Sequence, residues 1–140
     1  MSETIFTTKK EEKSGETIFT TWKSSDKENK EIYSTKEFPE AIWPYSPSVK
    51  AWKTYYFSGQ IAINPKTKKL VKWWIEKETL QVIKNISWIL AYNKLTFENI
   101  VKTTIFLKNI DDFSKVNEIY WKYFSHKPAR STIEVSNLPL

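Results

Sequence analysis

The stretch Ile100–Val135, IVKTTIFLKNIDDFSKVNEIYWKYFSHKPARSTIEV, decides the fold. Ile100–Leu107 alternates, with Val101, Thr103, Ile105 and Leu107 on one side and Lys102, Thr104 and Phe106 on the other. That is the pattern of a strand buried on one face. Asp111 then stands where an N-cap belongs, and Phe113, Val116, Tyr120, Tyr123 and Phe124 form a stripe at helical spacing. Pro128 cannot continue a helix, and Arg130–Val135 returns to strand composition. The segment reads as strand, helix, strand.

Upstream, Ile75–Tyr92 is helical, with Leu80, Val82, Ile83, Ile86, Ile89 and Leu90 making one broad apolar face. Glu76 and Glu78 fall in its first turn, where the helix dipole favours acids. Before it, Thr54–Ile63 (TYYFSGQIAI) reads as a strand, Asn64–Lys68 as a turn and Lys69–Lys72 as a short return strand. The order β-β-β-α-β-α-β predicts an α+β domain, a mixed sheet with two helices on one face.

Composition narrows the function. A chain of 140 residues, 40% hydrophobic and 27% charged, suits one ordinary globular domain. It has no cysteine, which excludes disulfides and thiolate chemistry, and its single His argues against a metal centre. There is no apolar run long enough to span a membrane and no secretory layout in MSETIFTTKKEEK, so a cytoplasmic setting is expected. The net charge is +6, but the lysines are scattered among several elements and no basic run is interleaved with aromatics. Nucleic acid is therefore not the expected partner.

The hexamer ETIFTT occurs at residues 3–8 and 16–21, with a looser echo, EIYSTK, at 31–36. Polar linkers separate the copies. We read residues 1–29 as an appended tail and 30–140 as the domain.

One arginine, Arg130, stands among 22 basic residues. A guanidinium grips a carboxylate with a planar fork that Lys cannot copy. Tyr45 lies in a loop bracketed by Pro44 and Pro47, and Ser58-Gly59 interrupts a strand where Gly permits a ligand to approach the backbone. A structural salt bridge would equally use a lone Arg, Gly59 suits a bulge, and Tyr45 a core position.

These pieces together resemble the Rid family, the reactive-intermediate deaminases also called the YjgF family. The matching motifs are AIWPYSP at 41–47, SGQIAINPKTK at 58–68, QVIKNI at 81–86, IVKTTIFLKNIDDFSKVNEIY at 100–120 and PARSTIEVSNLP at 128–139. The resemblance implies a ferredoxin-like fold of the chorismate-mutase type and a homotrimer with sites between subunits. It also implies hydrolysis of reactive enamines and imines, such as 2-aminoacrylate and 2-iminobutanoate, to 2-oxo acids and ammonium. On that likeness Arg130 binds the substrate carboxylate, Tyr45, Ser58 and Gly59 line the pocket, and Asn117 lies nearby. No cofactor is implied. Two alternatives stand beside it: a trimer that binds small carboxylates without catalysis, and an RNA-processing protein.

The sequence departs from the family pattern in two ways. Trp43, Trp52, Trp73, Trp74 and Trp121 fall where the pattern has Gly or a Gly-rich turn, as when one codon is read as Trp in place of Gly. The pattern also continues past Leu-Pro with a final strand carrying a Glu that positions water, whereas this sequence stops at Leu140. The domain is therefore expected to lack that strand and to expose a sheet edge. One copy of ETIFTT, more readily 16–21, is expected to pair with that edge.

Overall fold

Two helices cover strands that come from both halves of the chain. The computed structural model describes residues 45–71 and 74–138, together with the backbone of 30–33. The strands are Lys30–Tyr33 (β1), Ser48–Ala51 (β2), Thr54–Phe57 (β3), Ile63–Asn64 (β4), Lys69–Leu70 (β5), Lys102–Leu107 (β6) and Ala129–Glu134 (β7). The helices are Ile75–Tyr92 (α1) and Phe113–Tyr123 (α2). This is the α+β class expected, with both helices where the periodicity put them.

Helix α1 buries Ile83, Ile89 and Leu90 from its apolar face, while Leu80 stays partly exposed. Its C-terminus closes in a Schellman arrangement, Lys94 N–H to Ala91 C=O at 3.0 Å and Leu95 N–H to Leu90 C=O at 2.8 Å. Helix α2 buries Val116, Ile119 and Tyr120, and the nearly inaccessible Phe124 follows its last turn. The two helices pack on each other. Burying such side chains stabilises a domain by roughly 1.5–3 kcal/mol each, which is why the apolar faces fix the layer.

Strands β1, β2 and β3 form an antiparallel sheet, with Ile32 opposite Val49 and Val49 opposite Tyr56. Strands β6 and β7 run parallel in continuous register from Lys102↔Ala129 to Leu107↔Glu134. A parallel pair needs a crossover, and α2 supplies it. Among the described residues the strands fall into three sheets, of three, two and two strands.

Three local expectations need correction. The strand expected over Thr54–Ile63 is broken: β3 ends at Phe57 and β4 begins at Ile63. Side chains cause the break. Ser58 bonds back to the 46–47 loop, its Oγ to Ser46 C=O at 2.7 Å and its N–H to Pro47 C=O at 3.0 Å. From α1, the buried Asn85 donates to both Ile61 C=O and Ile63 C=O at 3.0 Å.

The cap before α2 is Asn109, whose Oδ1 accepts from Asp111 N–H at 3.0 Å and opens a 3-10 turn at Ile110–Asp112. Asp111, the expected cap, lies inside that turn. Val101 is 79% exposed because β6 begins one residue later. The ETIFTT copies, Trp43 and Trp73 lie outside the described residues. No described helix is long and apolar enough to cross a membrane.

Candidate functional site

Arg130 is the second residue of β7, opposite Thr103 of β6. Alternation along β7 turns it toward α2, on the face it shares with Thr132. On α2, Phe113, Asn117 and Tyr120 recur at i, i+4 and i+7 and so share one face. That single stripe presents two rings and an amide to the guanidinium. Arg130 Nη1 donates to Asn117 Oδ1 at 2.7 Å, and its central carbon lies 4.8 Å from the Tyr120 ring centre and 5.5 Å from that of Phe113. Both separations are within cation–π range.

The Tyr120 ring is itself held from two sides. It stacks on Phe124 at 4.0 Å and 10°, and its hydroxyl is 2.8 Å from Thr103 Oγ1 on β6. A cavity of about 400 Å³ opens beside Arg130, lined also by Asn117, Tyr120, Trp121, Phe124, Lys127 and Pro128. Lys127 holds a left-handed backbone at φ 57, with its ammonium 5.5 Å over the Trp121 ring. The loop carrying it is pinned by His126, whose Nε2 is 2.9 Å from Ile100 C=O. That contact requires the proton on Nε2, which leaves Nδ1 buried without a hydrogen bond and 3.7 Å from Glu98.

Among the described residues Asn117 is the one hydrogen-bond partner of the guanidinium, so its other N–H groups can serve a ligand. A guanidinium carries five such donors in a fixed fork suited to a carboxylate.

The other residues singled out by sequence gather elsewhere. Ser58 closes onto the Ser46–Pro47 loop, next to the half-exposed Tyr45. Gln60 Nε2 donates to Ser58 C=O at 3.0 Å. At Gly59 an added Cβ would meet nothing within 4 Å, so the close approach it permits is to no described part of this chain. None of Tyr45, Ser58 or Gly59 lines the cavity beside Arg130. The structure thus joins Arg130 with Asn117, and Ser58 with the Tyr45 loop, as two separate groups.

The family model described as Endoribonuclease L-PSP matches residues 35–140. The chain belongs to this family, the Rid family. A RutC family protein of Saccharolobus solfataricus is 46% identical over 111 residues, 79% of this chain and 88% of that protein. The human protein named 2-iminobutanoate/2-iminopropanoate deaminase is 44% identical over 109 residues, 77% of this chain and 80% of that protein. Among solved structures, a Rid-family protein of unknown function from Yersinia pestis superposes with a TM-score of 0.75 at 51% identity, covering 79% of this chain and 89% of that one.

Within this Rid-family chain, sequence reading named Asn117 and missed the two rings that hold the arginine. Phe113 and Tyr120 were assigned to a core stripe, and their spacing alone could not show that a cation from β7 lands on them. Thr132, on the Arg130 face of β7, has a buried Oγ1 without a hydrogen-bond partner. Its two-residue offset from Arg130 was the available signal.

Proposed function

We propose that the chain binds a small 2-imino acid through its carboxylate at Arg130 and hydrolyses the imine to the 2-oxo acid and ammonium. Water adds to the imine carbon, and the C–N bond then breaks as the nitrogen leaves with its proton complement: iminium plus water gives ketone plus ammonium. Such imines hydrolyse readily in water, so orienting the carbon and offering hydrogen bonds to the changing nitrogen is enough. No cofactor enters the reading. The names of relatives at 43–44% identity, a reactive intermediate deaminase of Arabidopsis thaliana and the human imine deaminase, support it.

The observation that carries the proposal is the lone guanidinium, held by Asn117 and two rings beside a cavity of about 400 Å³ that Asn117 and Tyr120 also line. The separation of Arg130 from the Ser58–Tyr45 group supports a homotrimer in which one subunit's Arg130 meets another's Ser58, Gly59 and Tyr45.

The test is ammonium release from 2-iminobutanoate generated in situ, with binding of 2-oxobutanoate measured alongside. Arg130→Lys keeps the charge and loses the fork, and is expected to cost about 1.5–3 kcal/mol of carboxylate binding. A Lys variant that binds as well as the parent overturns the assignment. Binding without ammonium release would leave a small-carboxylate binding protein in place of the enzyme. The description of the family as an endoribonuclease favours a second reading, RNA cleavage. That reading requires RNA binding that weakens steeply with salt and cleavage by the purified chain.

A further inference from the structure

Arg130 lies over the face of Tyr120, whose ring in turn stacks on Phe124. The guanidinium carbon lies 4.8 Å from the Tyr120 ring centre, and that ring lies 4.0 Å from Phe124 on its way into the core. The Tyr120 hydroxyl reaches across to Thr103 Oγ1 at 2.8 Å, and Thr103 is the residue of β6 paired with Arg130 itself. The Arg130 backbone and the ring beneath its side chain are therefore referred to the same point of the sheet.

We propose that Tyr120, tied by its hydroxyl to Thr103, is a positioning residue that fixes the plane of the Arg130 guanidinium for carboxylate binding. This rests on the carboxylate-binding role of Arg130 proposed above. The physical need is clear. Asn117 accepts one N–H and stops translation at that corner, but one hydrogen bond leaves the guanidinium free to rotate about it. A ring face below removes that rotation, because cation–π attraction favours the flat approach over the edge-on one. Anchoring the ring removes the last freedom, since a buried aromatic with a bonded hydroxyl cannot slide along the core. What remains is a fork of N–H groups held in one plane toward the cavity, which a bidentate carboxylate requires.

The lone arginine makes the test direct. In the uniformly ¹⁵N-labelled chain one arginine side chain gives one guanidinium signal, read without ligand or turnover. Ring shielding should displace it from the free-arginine position in the parent, and slowed rotation about the Nε–Cζ bond should separate its two Nη resonances. Tyr120→Phe retains the ring and loses only the tether, so it should keep most of that displacement while its guanidinium rotates faster. Tyr120→Leu retains apolar volume and loses the ring; its signal should return toward free arginine, and 2-oxobutanoate should bind about tenfold more weakly.

Ile119→Val, a buried neighbour on α2 that faces away from Arg130, supplies the control for simple core loosening: it should lower stability and leave the signal in place. If Tyr120→Leu does not fold, Thr103→Val decides alone, since it removes only the tether and should speed guanidinium rotation. A guanidinium signal that keeps its displacement in the folded Leu variant, or a guanidinium rotation rate unchanged in Thr103→Val when that variant stands alone, overturns the proposal. Should the parent fail to bind 2-oxobutanoate, the functional reading falls, and the signal still decides the role of Tyr120.

Discussion

At Trp52 the backbone stands at φ 53, a left-handed conformation that costs a residue with a Cβ about 1–2 kcal/mol. Trp52 and Lys53 form the two-residue loop between β2 and β3, flanked by the pair Ala51↔Thr54. A positive φ at the first loop position alone is the sign pattern of a type II′ turn, whose first position favours Gly. Trp74 is different, at φ −143, and Trp121 sits within the regular α2, so neither needs Gly for its backbone. Lys68, Lys94 and Lys127 also hold positive φ. Backbone demand thus accounts for one of the three described tryptophans that the resemblance sets at Gly positions. Because Trp52 is 59% exposed, little packing is lost with its ring. Trp52→Gly is expected to stabilise the chain by about 1 kcal/mol, seen as a rise of roughly 3–6 °C in Tm. An unchanged or lower Tm would show that the indole compensates for the strain.

Between elements, one amide does the work of a strand pairing. Asn85 of α1 is 1% exposed, donates to Ile61 C=O and Ile63 C=O, and accepts from Gln81 Nε2 at 2.8 Å. Those carbonyls belong to the segment where the strand is interrupted, and of the two Ile61 C=O also accepts from Ile63 N–H at 2.8 Å. The motif QVIKNI therefore encodes a tether as well as a helix face. Asn85→Ala removes three hydrogen bonds and takes the buried partner from Ile63 C=O and the Gln81 amide, at about 2–4 kcal/mol. Urea denaturation should show the loss as a lower midpoint at unchanged slope. A loss below about 1 kcal/mol would mean that water takes over the amide's bonds. Sequence reading named the helix and missed the tether, because a polar residue inside an apolar face reports its partner only after packing.

For the whole molecule, the β6–β7 pair has one face on α2 and one face bare among the described residues. Phe106 and Ile133 lie side by side on that bare face, 52% and 47% exposed. Apolar pairs of this kind suit burial against another copy of the chain. The proposed trimer is expected to give three chain masses by light scattering. Ile133→Lys, which puts a charge into that face, should shift the mass toward the monomer and weaken 2-oxobutanoate binding with it. A monomeric parent that binds the 2-oxo acid would remove the shared site and leave Arg130 acting within one chain.

Periodicity determined the two helices, the β6 and β7 strands and the order in which they follow, since these patterns depend on neighbours two to four residues apart. The motif from Ile100 to Val135 was enough to place Arg130 at the head of a strand just beyond a helix. Tertiary structure alone decided that Asn109 rather than Asp111 caps the approach to α2, and that Ser58 and Asn85 break a strand whose composition is continuous. It also decided what the arginine touches. Phe113, Asn117 and Tyr120 look like any helical stripe until β7 crosses them, because a side chain's partner across two elements depends on how those elements pack, which no local spacing contains.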